Sequence, residues 1–319
     1  MTTSSRCPLC GGRALAPTRR TLRYASGRIR AFRWACEFCG LLLDAPGQDV
    51  RIALDAALAG PHFASPETAP FGLDIYTLRT AATAMTKRVE PADAAQAEAL
   101  ALPHSALAAE ARLKALEPSG GPGVSLGFLC RAADVEGLIP THRHHLAAFA
   151  EIVLLVDGEG PEAVVEEGIR VAFRPLARDF AAQRGALQDL AQSAWMFQLD
   201  ADETLTPETT ALVPALAALG DDGGVLSIGL PRRNLVDGVQ ADLYPDTQYR
   251  LNRREVRFMG PVHERPDRPW QRSFIALCGA IDHYLARVHV DTRSQSYEAI
   301  LPGGGRLEEA DALRQRFRA

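Results

Sequence analysis

Three short apolar runs organise the second half of the chain. Val124-Ser125-Leu126-Gly127-Phe128-Leu129-Cys130 follows a Gly/Pro break, and Glu151-Ile152-Val153-Leu154-Leu155-Val156-Asp157 ends in an acid before Gly158. Trp195-Met196-Phe197-Gln198-Leu199-Asp200 then opens into Ala201-Asp202-Glu203. Near-continuous apolar character of this length marks strands covered on both faces. Residues 138–150 are predicted to be helical, as is the stretch from Phe180 to Ala194, where Phe180, Leu187, Leu190, Ala191 and Ala194 recur at helical spacing. Strand, helix, strand, helix, strand is the order of a parallel α/β sheet that binds ligands at its strand C-termini.

The first half reads differently. Thr21-Leu22-Arg23-Tyr24 and Ile29-Arg30-Ala31-Phe32-Arg33-Trp34 alternate around Ala25-Ser26-Gly27, which predicts a β-hairpin. It lies between Cys7-Pro8-Leu9-Cys10 and Cys36-Glu37-Phe38-Cys39. Two CxxC knuckles bring four thiolates around one Zn²⁺, so residues 1–48 read as a zinc ribbon with Cys7, Cys10, Cys36 and Cys39 as ligands. Four sulfurs leave no position for water, and the metal is structural. Arg19, Arg20, Arg23, Arg28, Arg30 and Arg33 crowd the hairpin. They admit a basic solvated scaffold, a protein contact or an anionic partner.

Residues 49–117 are rich in Ala, Leu and Glu and broken by prolines at 61, 66, 70, 91 and 103, which predicts several short helices. Glu117-Pro118-Ser119-Gly120-Gly121-Pro122-Gly123 reads as a linker, and the α/β domain is placed at 122–319. Within it Pro302-Gly303-Gly304-Gly305 is a second break before a final polar helix. No internal repeat is visible.

Composition narrows the partners. The chain has 319 residues, 47% hydrophobic and 23% charged, with a formal net charge of −4, which disfavours a dedicated nucleic-acid binder. Four of the six cysteines belong to the knuckles, a pattern that suits a reducing cytoplasm. No signal peptide opens the sequence, and no apolar run reaches the roughly 18 residues that span a bilayer. The expected location is cytoplasmic, at the inner face of the membrane if the acceptor is lipid-linked.

The candidate chemistry sits at the strand ends. Alternation would turn Asp200 and Asp202 to one side, where they could hold Mg²⁺ or Mn²⁺ against the phosphates of a nucleotide. Isolated, the same acids would cap a helix or sit in water. Asp157, where a strand opens, is a candidate contact to the nucleotide, with helix capping as its alternative. Glu203 would hydrogen-bond a sugar or cap the next helix. Gln183 and Arg184 would approach the nucleotide or lock helix to sheet. His142, His144 and His145 form a cluster read as a solvated surface rather than a metal site.

These stretches together resemble glycosyltransferase family 2, in the branch of lipopolysaccharide-core β-glycosyltransferases. The resemblance rests on Val156-Asp157, Phe180-Ala181-Ala182-Gln183-Arg184, Trp195 through Glu203, the Arg250-Leu251-Asn252-Arg253 segment, Gly260-Pro261-Val262-His263-Glu264, and Ile281-Asp282-His283-Tyr284. It departs at Gly185, where the family has Asn, and after Asp157, where Glu162 stands in for a second Asp. The resemblance implies a GT-A-type nucleotide-sugar-binding domain with a mainly parallel sheet, and a metal-dependent inverting transfer from a nucleotide-diphosphate sugar to a glycan, natural-product or protein acceptor. It gives His263 a phosphate or metal contact. An inverting transfer also needs a base, for which Glu264 is the first candidate and Asp246 the second. The departures motivate an alternative: an inactive relative whose ribbon docks a partner. A zinc-ribbon methyltransferase would need a Gly-rich loop after the first strand, and only Gly127 is there.

Overall fold

The computed structural model describes residues 5–117, 123–303 and 306–318. Residues 118–122 of the linker expected at 117–123, and Gly304-Gly305 of the second break, lie outside them. The described residues divide into two compact units: those up to Leu116 with Phe274–Cys278, and those from Glu117 to Ser273 with those from Gly279 to Arg318.

In the first unit, strands Leu15–Pro17, Trp34–Cys36, Leu42–Leu43 and Phe71–Gly72 form one sheet, beside the expected hairpin of Thr21–Arg23 with Ile29–Ala31. Residues 49–117 contain the helices Arg51–Ala59, Ile75–Thr83 and Ala94–Leu100, but also the sheet of His62–Ala64, Glu110–Ala115 and Lys87–Pro91. The helices-only expectation missed those strands. Glu110-Ala111-Arg112-Leu113-Lys114 alternates with period two, its Ala111 and Leu113 buried, although Ala, Glu and Lys favour helix. One apolar cluster runs from Cys7 and Cys39 through Leu41, Leu54 and Leu78 to Leu113, so knuckles and helices share a core. The basic hairpin is partly neutralised. Arg20 pairs with buried Asp74 at 2.7 Å, and Arg30 pairs with Asp44 and reaches the Ala69 carbonyl.

The second unit is built on a sheet whose strands run in the order Ala163–Glu166, Ile169–Phe173, Glu151–Asp157, Val124–Arg131, Trp195–Asp200, Gln248–Arg253, Ser227–Leu230. The pairings from Ile169–Phe173 to Trp195–Asp200 are parallel, and those flanking them are antiparallel. The sheet is therefore mixed rather than mainly parallel. The predicted helix at 138–150 is a helix at Val135–His142 continued by a 3₁₀ turn, Arg143–Ala147, and the second helix spans Phe180–Leu190. Asp179 caps that second helix by accepting from the Ala182 N–H at 2.9 Å.

Gly127 has a packing role rather than a phosphate-loop role. A Cβ there would lie 2.9 Å from Leu187 of the covering helix and 2.9 Å from Met196 of the next strand, so glycine lets helix and sheet close together. A smaller sheet of Glu203–Leu205, Ile281–Leu285, Arg232–Val236 and Val239–Gln240 follows the acidic turn, and helices Arg287–Ile300 and Leu307–Arg314 complete the unit. His142 and His145 are buried, not solvated: the first lies against Phe128 and the second bonds Thr210 Oγ1 at 3.2 Å.

Candidate functional site

The four cysteines converge as expected. Cys7 and Cys39 Sγ lie 3.6 Å apart, as do Cys10 and Cys36, and all four sulfurs fall within 4.8 Å of one another. A tetrahedral site with Zn–S near 2.3 Å requires S···S of about 3.8 Å. The donor set therefore fits one Zn²⁺, and all four residues are buried. The structural reason is local: Gly40, at φ +85°, closes the second knuckle, and its N–H bonds the Cys36 carbonyl at 2.8 Å.

A cavity of about 800 Å³ opens in the second unit where the central strands end. Asp157, Gln183, Arg184, Asp200, Asp202, Asp246, His263 and Glu264 all line it. Glu203 alone of the sequence-predicted acids and bases does not. It is fully buried in the strand Glu203–Leu205, and Thr206 rather than Glu203 caps the next helix. Its carboxylate accepts from the Asp200 N–H at 3.0 Å, Arg232 Nη1 at 2.9 Å and Arg250 Nη2 at 2.9 Å.

Asp200 and Asp202 do not share one strand face, because the strand stops at Asp200 and Asp202 sits in the following turn. Both Asp200 oxygens are occupied: Oδ1 accepts from Arg184 Nη2 at 2.8 Å and Oδ2 from Arg250 Nη2 at 2.7 Å. Arg184 also donates to Glu264. Asp246 is saturated as well, with Arg232 and Asn234 on Oδ2 and Gln248 on Oδ1. Burial opposes its ionisation, but Arg232 prevails and brings the carboxyl down to about 2. Glu264 is likewise buried, and Arg184 and Arg250 outweigh that burial to hold it below the ordinary range. Burial alone would lower Arg250, but Asp200, Glu203 and Glu264 raise it instead. The floor of the cavity is thus a lattice of alternating guanidiniums and carboxylates in which each charge is fixed by its neighbours.

Asp202 stands at the edge of that lattice, its side chain half exposed and its Oδ2 3.3 Å from His283 Nε2. The ring is oriented from behind. Asn234 spends its amide donors on Leu243 O and Asp246, so its Oδ1 accepts from His283 Nδ1–H at 2.7 Å. In the neutral ring this leaves the Nε2 lone pair facing a carboxylate, a donor pair for a cation. Asp157 caps a loop rather than a helix, accepting from the Leu176 N–H at 2.8 Å. Gln183 locks the loop to the helix through Arg174, at 2.5 Å to Nη1 and 2.9 Å to its carbonyl. His263 lies in a bend and Glu264 in the irregular residue after it, not in a strand; both line the cavity, and the His263 ring meets Tyr297 edge-on at 5.2 Å.

Sequence reasoning missed Arg232 and Asn234, which belong to no recognised motif. It quoted Arg250 and His283 without giving them roles; their positions in the Arg-Leu-X-Arg and Ile-X-His-Tyr segments were the available signal. Among the described residues, no helix is long and apolar enough to cross a membrane.

No protein-family model matches the chain. Among solved structures it is similar to S. aureus TarS. For TarS 1-349 the identity is 11% and the TM-score 0.32, with 56% of this chain and 64% of that chain covered. For the same protein in complex with UDP-GlcNAc the figures are 12%, 0.34, 56% and 65%. A third TarS structure matches at 13% and 0.34, over 56% of this chain and 39% of that one. The chain thus spans less than two thirds of each of these neighbours, and likeness this distant transfers no role to any residue.

Proposed function

We propose that the second unit is a GT-A-type, family 2-like inverting glycosyltransferase acting on a nucleotide-diphosphate sugar, with the cysteine knuckles holding a structural zinc. The observation that carries it is the convergence of Asp157, Asp200 and Asp202, each at or just past the end of a parallel strand, on one 800 Å³ cavity. Such strand ends are where open α/β sheets take nucleotides.

The residues divide the work. Asp157 borders the cavity where the nucleotide would enter. Asp202 and His283 suit a divalent cation, with Asn234 fixing the imidazole tautomer. Asp200 does not suit one, because two guanidiniums already occupy its oxygens. A Mg²⁺ or Mn²⁺ at Asp202 and His283 would neutralise charge on the departing diphosphate. Arg184 and Arg250 hold Asp200 and Glu264 rigid, so little reorganisation is needed during transfer.

Of the two candidate bases, Glu264 fits better. Arg184 engages its Oε1, while among the described residues no hydrogen bond occupies Oε2 of this cavity-lining side chain. Asp246 has both oxygens engaged. As the acceptor oxygen attacks the anomeric carbon and the bond to the diphosphate breaks, the hydroxyl proton passes to Glu264. A non-catalytic nucleotide sensor is the second reading, favoured by the double clamp on Asp200.

Thermal stabilisation of the zinc-loaded protein by nucleoside diphosphates and nucleotide-sugars, with and without Mn²⁺, tests the proposal. One donor should raise the melting temperature in a Mn²⁺-dependent way, and Asp202→Ala should remove the metal dependence. No shift with any donor sinks the transferase reading. A shift without sugar release or transfer, in the presence of acceptor extracts, selects the sensor.

A further inference from the structure

We propose that the outward face of the hairpin Thr21–Arg23 with Ile29–Ala31 is a docking surface for an acidic segment of a partner protein. Packing settles the inward face. Leu22, Tyr24 and Phe32 are buried in a cluster with Leu42 and Ala108, and Arg20 and Arg30 are paired with Asp74 and Asp44. The outward face carries Arg19, Thr21, Arg23, Ile29, Ala31 and Arg33, all exposed, with Ile29 at 66%. Among the described residues, the guanidiniums of Arg19, Arg23 and Arg33 make no hydrogen bond or ion pair.

Backbone pairing and charge both point to an anion. The Phe32 N–H bonds the Arg20 carbonyl at 3.0 Å and the Thr18 N–H bonds the Arg33 carbonyl at 2.8 Å, which sets Arg19 beside Arg33 across the strands. Like charges in that relation cost stability. A carboxylate shared by the two guanidiniums would remove the cost. The ladder also carries an extra residue there: Pro17 pairs with Trp34 and Thr21 with Ala31, four steps on one strand against three on the other. Such a bulge re-aims a side chain, and Arg19 lies within this one. Residues 1–48 hold eight arginines against Glu37 and Asp44, in a chain whose formal net charge is −4. They stay cationic even with the net negative charge of zinc on four thiolates.

Geometry selects the kind of anion. A guanidinium fork takes a carboxylate through two parallel bonds, and arginine is enriched at the energetic centres of protein interfaces. Arg19 and Arg23 stand four residues apart on one strand, roughly 13 Å, with the small Thr21 and Ala31 between them. An extended segment with acids at that spacing and a short side chain between them would lie over the gap, against Ile29. Single-stranded nucleic acid stacks its bases on exposed aromatics, but Tyr24 and Phe32 face the core at 4% and 1% exposure. Anionic membranes are held by clusters of about four to eight basic residues, more than this face offers. None of these residues lines the strand-end cavity, so the docking role holds whether or not the second unit transfers sugar.

Random twelve-residue peptides displayed on phage, panned on the zinc-loaded full chain and counter-selected on Arg19→Thr/Arg33→Thr, test the docking role. The selected peptides should be rich in Asp and Glu. In calorimetry the best of them should bind the double variant, and Arg23→Thr, about tenfold more weakly, and should weaken as NaCl rises. Arg112→Thr, which removes an exposed arginine paired with Glu90 on another sheet, should bind it as the unmodified chain does. The double variant should melt no lower than the unmodified chain, because threonine suits a strand and the like charges are gone. Should it melt lower, Arg23→Thr alone judges the binding. Failure to select any peptide, selection of peptides without acids, equal affinity in the variants, or an equal loss in Arg112→Thr overturns the proposal. So does tighter binding, lost in the same variants, of a single-stranded oligonucleotide, of vesicles of phosphatidylglycerol and phosphatidylcholine, or of a second copy detected by sedimentation at rising concentration.

Discussion

Replacing Glu203 with Gln tests whether this acid serves the lattice or the ligand. The substitution keeps the shape and, with its one oxygen, the acceptor for the Asp200 N–H, but it turns an amide NH2 toward Arg232 and Arg250. Two charge-assisted hydrogen bonds of 2.9 Å are lost, from a side chain with no exposure to water. At roughly 1.5 kcal/mol or more each, the loss is about 3 kcal/mol. Asp246 still pairs with Arg232 and Asp200 with Arg250, which keeps it at the low end of the range for broken buried pairs. For a unit of this size that is a fall of about 6–12 °C in melting temperature. Urea unfolding followed by tryptophan fluorescence suits the measurement, because Trp195 is buried in the strand that ends at Asp200. A variant with unchanged stability but no nucleotide-sugar binding would refute the reasoning and return Glu203 to the ligand.

Other outcomes follow from the same physics. Burial, and then the charge of His144, pushes His142 and His145 down to about 4. Their contribution is complete above the unfolded value near 6.5 and is lost as pH falls from there to about 4, so the stability measured in urea should drop across that window, by on the order of 3 kcal/mol for each imidazole. His142→Gln/His145→Gln should flatten the drop, whereas the part due to Asp246, held near 2, is lost only below about pH 4. Removal of zinc by a chelator, or Cys36→Ser, should expose the chain as far as Leu113 to protease, since the knuckles share its core. Metal analysis should return one zinc per chain, and protection persisting without metal would contradict a site whose binding is folding free energy. Gly185, inside the helix Phe180–Leu190, has only Arg257 Cδ, at 3.9 Å, near a built Cβ. Gly185→Ala should therefore raise stability by about 0.5–1 kcal/mol in the same urea assay, and a loss would mean that the position needs glycine's conformations.

The sequence spelled out what local rules govern. Zinc spacing, the hairpin alternation and the apolar runs at 124–130, 151–157 and 195–200 each carry their information within a few residues, and each element forms where the pattern puts it. The strands at 163–166 and 169–173 were passed over, although Glu167-Gly168 between two Val/Ile-rich stretches is a turn signal and Gly168 has φ +79°. At the site the limit is different in kind. Which oxygen of Asp200 meets which arginine depends on strands more than forty residues apart, 195–200 and 248–253, pairing in antiparallel register, with Met196 opposite Asn252. Asp202 and His283 meet because Glu203 pairs with His283 across another sheet. No spacing rule reports such pairs. Alternation even misled, since the strand ends at Asp200, two residues before Asp202.

Residues Phe274–Cys278 belong to the first unit although they follow most of the second in sequence. A ribosome releases the knuckle cysteines first, yet the last piece of their unit emerges only after some 160 further residues have been made, at about 5–20 residues per second. For roughly 8–32 s the nascent chain holds a metal-ready but incomplete unit. Its final closure waits until the central strands of the second unit are already available to fold. Expression of residues 1–117 alone would freeze the protein at that waiting stage, and a rearranged chain carrying a copy of 274–278 directly behind 116 would remove the delay.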